Sequence, residues 1–216
     1  MKPKGEFTCY LWESIQAIYN EIITHTFVEL LADGTLPKPC FAHYLSQDIL
    51  YIHDDSKAFE HLSKRATATT EQAFFKTLAK EGIAMEHELH THFLKFFTIR
   101  KAKKKSPVIK AYTHFLIEHS LKSPYNVAAA ALLPCFWVYN SVGKHLISFA
   151  EENNVYQKWI DTYQGGEYEE YTKSFIQIVE RLAATASEEE KEHMREAFVQ
   201  ATLFELYFFE ESMSKK

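Results

Sequence analysis

Glycine and proline are scarce, at six each in 216 residues, and most fall between helical patterns. No segment alternates apolar and polar residues with turn signals at its ends, so strands are not expected. No apolar run reaches the roughly 20 residues needed to cross a bilayer. The opening Met1-Lys2-Pro3-Lys4-Gly5 lacks the apolar core of a secretory signal, so neither export nor membrane insertion is expected. Cysteine is limited to Cys9, Cys40 and Cys135, an odd number widely spaced, which forms neither a metal-ligand pair nor a disulfide framework. Reduced thiols suit a cytoplasmic location. There is no basic excess: the net charge is −5, which argues against nucleic acid as the main partner.

What the chain does have is apolar and aromatic bulk. It is 46% hydrophobic and carries 17 Phe, 12 Tyr and 3 Trp, enough for a full core in a single domain over residues 1–216. The aromatic share hints at a pocket for a flat ligand, although aromatic-rich helix packing is the commoner explanation. Helical periodicity organises the chain. A first helix is expected from Phe7 to Thr26, then a loop at Asp33-Gly34-Thr35-Leu36-Pro37-Lys38-Pro39. Further helices are expected at about 40–64, 70–97, 107–119, 124–150, 155–163, 167–184 and 187–213. Ser187 and Glu190 have the spacing of a capping box for the last of them. The fold class is all-α, a multi-helix bundle of seven or eight helices.

Polar residues on apolar stripes are the informative exceptions. In the second long helix, Asp48 and Asp55 interrupt the stripe Phe41, Leu45, Ile52, Phe59, Leu62, with Tyr51 one turn beyond Asp48. A buried carboxylate requires a partner, so each either ties helices together or serves a ligand. The run Val127-Ala128-Ala129-Ala130-Ala131-Leu132-Leu133-Pro134-Cys135-Phe136-Trp137-Val138-Tyr139 is apolar on every side, marking a central helix. Pro134 removes a backbone donor beside Cys135, and Tyr139 lies one turn further on the same face. A buried cysteine is most often a small inert hydrophobe, and that reading stays open. In the last helix Glu205 shares a face with Phe198, Ala201 and Phe208. Desolvation there would raise a carboxyl's pKa toward neutrality, as proton transfer requires; a salt-bridged structural glutamate is the other reading.

Four segments, taken in order, resemble the TenA/thiaminase II family. Tyr44-Leu45-Ser46-Gln47-Asp48-Ile49-Leu50-Tyr51 looks like its Q-D-x-x-Y motif, and Ala129 to Tyr139 is similar to its nucleophile segment. Trp159-Ile160-Asp161-Thr162-Tyr163 resembles its W-I-x-x-Y segment, and Phe204-Glu205-Leu206-Tyr207-Phe208-Phe209-Glu210 its closing E-x-x-F-W-D pattern. Phe209 and Glu210 depart from that pattern, where the family often has Trp and Asp. The resemblance implies a haem-oxygenase-like bundle without haem or other cofactor, without a metal, and usually a homotetramer. It implies thiamine-salvage hydrolysis of aminopyrimidines such as 4-amino-5-aminomethyl-2-methylpyrimidine, or of thiamine itself. On that pattern Cys135 adds to a pyrimidine ring carbon and Glu205 protonates a ring nitrogen. The adduct expels ammonia or the thiazole from the exocyclic methylene, water takes that position, and the thiol leaves. Asp48 would orient the exocyclic amine and Tyr163 would hydrogen-bond the thiol. Tyr51, Tyr112, Tyr139 and Phe208 would line or stack on the ring.

Two other readings remain. A metal-dependent oxygenase of the same helical superfamily would use Glu86, His87, Glu88, His90 and His92, of which Glu86 and His90 have one-turn spacing. A solvated helix face explains that cluster too, and no matching set stands on a second helix. A non-catalytic pyrimidine-binding or regulatory protein is the other. The basic stretch Lys101-Ala102-Lys103-Lys104-Lys105 reads as a solvated loop.

Overall fold

The computed structural model describes residues 2–97, 99, 101–148 and 153–215, without the side chains of 85–90, 94 and 164. Among the described residues there is no strand, and ten helices follow in order. They are α1 (Glu6–Ser14), α2 (Gln16–Ile23), α3 (Thr26–Ala32), α4 (Lys38–Arg65) and α5 (Thr69–Phe97). After them come α6 (Pro107–Lys122), α7 (Tyr125–Ile147), α8 (Gln157–Gln164), α9 (Gly166–Ala183) and α10 (Glu188–Met213). The side chains of Glu86, His87, Glu88 and His90 lie outside the described residues.

The chain divides into two compact units, Met1–Leu36 with Asn126–Leu206, and Pro37–Tyr125 with Tyr207–Lys216. In the first unit α7 is wrapped almost completely: from Val127 to Gly143 every side chain is buried except Cys135 and Phe136. The four consecutive alanines at 128–131 are fully buried, because a methyl is all that the approach of neighbouring backbones leaves room for. Trp12 of α1 stacks on Trp137 of α7, with ring centroids 4.8 Å apart. The N-terminus of α1 is closed by Glu180 of α9, whose carboxylate accepts from Thr8 N at 2.7 Å and Phe7 N at 3.2 Å. A side chain at residue 5 would put its Cβ 2.3 Å from the Glu180 carboxyl carbon, so only glycine lets the carboxylate approach.

The single expected helix over 7–26 is two short ones, α1 and α2, and a third, α3, begins at Thr26 where the expected helix was to end. Breaks fall at Ile15, whose N–H reaches back only to Trp12 O at 3.3 Å, and at Thr24-His25. His25 starts α3 anew by accepting from Phe27 N through Nδ1 at 3.1 Å. The end of α3 is held from a distance. Asn154 donates to the carbonyls of Leu31 and Ala32, both at 2.8 Å, while Tyr156 OH donates to Leu36 O at 2.6 Å. Gly34 turns the chain there with φ 70°, the left-handed exit usual after a helix end.

In the second unit α4 packs along both α5 and α6. Its Gln47 amide holds the segment leading into α6, donating to Lys104 O at 3.2 Å and accepting from Ser106 N at 2.8 Å. Lys105 pairs with Asp54 of α4 and also donates to Thr113 Oγ1 at 3.0 Å. The stretch 101–105 thus has one cation committed to structure, a correction to its reading as a plain solvated loop. In α10 the capping box forms as expected: Glu190 N donates to Ser187 Oγ at 3.2 Å, and Ser187 N to Glu190 Oε2 at 2.9 Å.

Candidate functional site

The thiol stands out by where α7 fails to bury it. Cys135 is half-buried, while Cys40 is buried and Cys9 exposed, and none of the three is in a disulfide. A core cysteine in an all-round apolar helix would be expected to disappear from solvent as its neighbours do. This one keeps part of its surface accessible. Pro134, immediately before it, contributes no N–H, so the Ala130 carbonyl loses its usual helical donor in the turn that carries the thiol.

Tyrosines surround that turn. Tyr139, one turn after Cys135, is 5% exposed, and its ring lies 5.0 Å from that of Tyr163 at the end of α8. Trp159, fully buried, packs 4.6 Å from Tyr163 and 6.1 Å from Tyr139. Tyr168 at the start of α9 meets Tyr163 edge-on at 5.4 Å and 90°, stacks on Phe136 at 5.2 Å, and donates its hydroxyl to the Cys135 carbonyl at 3.1 Å. Asn140, fully buried, donates through Nδ2 to the Tyr163 carbonyl at 3.1 Å. In the same unit Glu205 is 2% exposed on α10, on the stripe with fully buried Phe198 and Ala201.

The second unit holds the other expected residues. Asp48 and Tyr51 of α4 are nearly buried, at 5% and 4%, and Asp55 at 8%. Tyr112 of α6 brings its ring to 4.9 Å from that of Tyr51. Phe208 stacks on Tyr44 at 4.7 Å, and Phe209 lies parallel to the same ring at 6.0 Å. Two pairs of the expected residues are in ring contact, Tyr139 with Tyr163 in the first unit and Tyr51 with Tyr112 in the second; Cys135 and Glu205 belong to the first unit, and Asp48 and Phe208 to the second. Among the described residues no cluster of three or more His, Cys, Asp or Glu has metal-binding geometry. No helix among them is long and apolar enough to cross a membrane.

Two residues escaped the sequence reading. Asn140 had the signal that exposed Cys135 and Glu205, a polar side chain in an apolar run, and it stands directly after Tyr139. Tyr168 had none, because its partner is a backbone carbonyl, which no side-chain pattern announces.

The chain is 35% identical over 213 residues to a thiamine biosynthesis multifunctional protein, ThiED, of Corynebacterium efficiens. The alignment covers 98% of this chain but 29% of that protein, so this chain spans less than a third of that relative's length. An aminopyrimidine aminohydrolase of Bacillus subtilis is 32% identical over 189 residues, covering 86% of this chain and 80% of the relative. The solved structure of a TenA family transcription regulator from Silicibacter matches with a TM-score of 0.89 and 26% identity, covering 98% of each chain. A TenA homologue from Pyrococcus furiosus matches with a TM-score of 0.87 at 22% identity, covering 96% of this chain and 100% of that one. The two solved structures share the fold of this chain over nearly its whole length. The family pattern extends over residues 12–216, almost end to end, and the chain therefore belongs to the TENA/THI-4/PQQC family.

Proposed function

We infer that this protein is an aminopyrimidine aminohydrolase of thiamine salvage, converting 4-amino-5-aminomethyl-2-methylpyrimidine to the hydroxymethylpyrimidine and ammonia. The observation that carries the reading is Cys135, a half-buried thiol on a helix where, from 127 to 143, only it and Phe136 escape burial, in a chain akin to a named aminopyrimidine aminohydrolase.

The chemistry accounts for the residue types. An aminomethyl carbon on an aromatic ring resists direct displacement. Addition of the Cys135 thiolate to a ring carbon breaks aromaticity and gives an electron-rich ring that expels ammonia from the exocyclic methylene. Glu205 supplies the proton to the ring nitrogen on which charge would otherwise build up, and its burial keeps water from competing. Water adds to the methylene, the proton returns, and the carbon–sulfur bond breaks, restoring the thiol. Asp48 accepts from the exocyclic amine. Tyr163 donates to the thiolate, while Tyr51, Tyr112, Tyr139 and Phe208 hold the flat ring. Thiamine, with the thiazole as leaving group in place of ammonia, is the second substrate of the same machinery. The protein works as a single functional domain and as a cytoplasmic homotetramer, a reading that rests on the family resemblance. Sedimentation of the purified chain reads the number of 25.2 kDa copies directly.

A Cys135→Ala variant tests the central claim. Loss of the nucleophile is expected to lower kcat on the aminopyrimidine by at least about 10³-fold, the scale seen when a covalent nucleophile is removed. Hydrolysis at the parental rate would overturn the nucleophile assignment. If parent and variant both bind the pyrimidine and neither turns it over, the protein is a binding module. Comparing kcat/KM on the aminopyrimidine and on thiamine then ranks the two leaving groups.

A further inference from the structure

Two hydrogen bonds of opposite sense fasten α7 to the corner between α8 and α9. Asn140 of α7 donates to the Tyr163 carbonyl at 3.1 Å, and Tyr168 of α9 donates its hydroxyl to the Cys135 carbonyl of α7 at 3.1 Å. The two anchors on α7 are five residues apart, and so are the two on the corner. Gly165 and Gly166 make the turn between them. The corner is therefore pinned at both ends to the stretch of α7 that carries the thiol.

The geometry gives this clamp work to do at that place. Pro134 leaves the turn before Cys135 short of one bond of its own helical ladder, so ties from outside the helix carry more of its positioning there. The Cys135 carbonyl is in line to accept from Tyr139 N–H within the helix. Its second lone pair takes the Tyr168 hydroxyl without breaking the helix. Tyr168 also bears on both neighbours of interest: its ring edge meets Tyr163 at 5.4 Å, and its face stacks on Phe136 at 5.2 Å. Asn140 is fully buried, with no hydrogen-bond partner for Oδ1 among the described residues, and a buried amide left half-satisfied is costly. An apolar side chain would fill the same space without that cost. What the amide supplies is the tie to Tyr163.

We propose that Tyr168 and Asn140 are positioning residues for the hydrolysis. Together they fix the backbone of Cys135 and the ring of Tyr163 against each other, and so set how readily the thiol ionises and attacks. Neither touches the substrate; both act through Cys135 and Tyr163. The proposal rests on the reading of Cys135 as the nucleophile.

Tyr168→Phe keeps the ring contacts and removes only the hydroxyl. The readout is the rate of Cys135 alkylation by iodoacetamide against pH, followed on the Cys135 peptide by mass spectrometry so that Cys9 and Cys40 do not contribute. The kinetic constants on the aminopyrimidine are measured beside it. The midpoint of the alkylation profile is expected to move up by about 0.5–1 pH unit, since a thiolate less well placed against its donor is less favoured. kcat is expected to fall about 5- to 20-fold, with KM held within about twofold, as misplacement of a reacting group does. Asn140→Ser, which shortens the tie from the other side, should move both readouts the same way, and it carries the test if Tyr168→Phe does not fold. If thermal stability falls while the alkylation profile and kcat stay parental, the clamp is structural only and the proposal is wrong. Activity of Cys135→Ala separates the two failures. A parental rate there sinks the nucleophile reading, whereas an inactive Cys135→Ala beside parental clamp variants sinks the positioning role alone.

Discussion

Glu205, 2% exposed on the stripe with Phe198 and Ala201, is the acid of the proposed mechanism. Glutamine has nearly the same shape and none of the acidity. Glu205→Gln is therefore expected to lower kcat by about 10²–10⁴-fold and to remove one limb of the pH–rate profile, with little change in KM. Steady-state rates between pH 5 and 9 check this, and an unchanged profile would return Glu205 to a structural role. At the same scale, of the two departures from the resembled pattern, Phe209 is fully buried and lies parallel to Tyr44, which itself stacks on Phe208, while Glu210 is exposed.

Among the elements, α1 depends on a partner far along the chain. Its first turn leaves amide donors that no residue before it satisfies, and Glu180 answers two of them with a charged acceptor. Placing that charge at the positive end of a helix adds to the hydrogen bonds. Glu180→Ala is expected to cost about 1–2 kcal/mol, read by urea unfolding, and to speed amide exchange at Phe7 and Thr8. Protection at those two amides equal to the parent's would show that α1 is closed by something else.

The elements also show how far the sequence could be read. Long helices with strong apolar periodicity came out within a few residues, as α4 (Lys38–Arg65) and α5 (Thr69–Phe97) illustrate. The broken stretch 6–32 did not, because Ile15 and Thr24-His25 carry no glycine or proline to mark the interruptions. The long-range contacts of this stretch, such as Trp12 on Trp137, have no local signature. The candidate site divides in the same way. Asp48, Cys135 and Glu205 announced themselves as polar groups on apolar stripes. Gln47 was read only as part of a motif, yet its amide holds the chain entering α6, since sequence spacing does not tell which of two adjacent polar side chains faces which neighbour.

At the scale of the whole molecule, three of the described histidines are expected to make stability depend on pH. Burial lowers the pKa of His43, with Glu211 at 3.8 Å pulling the other way and Lys215 reinforcing the burial. Burial is the leading cause at His61 as well, supported by Lys64 and Arg65 against Glu60, and at His119, opposed by Glu118. Each is held neutral in the folded chain at a pH where it would be charged when unfolded. Their contribution is thus complete above the ordinary histidine pKa and is lost as pH falls through the lowered values. At Glu169 hydrogen bonds from Lys144 and Lys173 prevail over desolvation and hold the carboxyl at about 2, so its contribution survives to far lower pH. The thermal midpoint is expected to drop between about pH 7 and pH 5, by roughly 2–4 °C for each kcal/mol lost in a chain of this size. A midpoint flat across that interval would mean that these imidazoles are not held neutral.

The interleaving of the two units imposes an order on synthesis. Residues 37–125 emerge from the ribosome as one block, and α4, α5 and α6 with the Gln47 and Lys105 ties are then all present. The first 36 residues must wait. The Asn154 amide that ends α3 lies more than a hundred residues downstream, and the Glu180 carboxylate that starts α1 lies 172 beyond Thr8. Until those arrive, α1 to α3 lack the partners that define their ends, and their apolar side chains stay open to whatever meets the nascent chain. The same distant ties that finish the N-terminal helices keep that segment incomplete until residues 154 and 180 have been made.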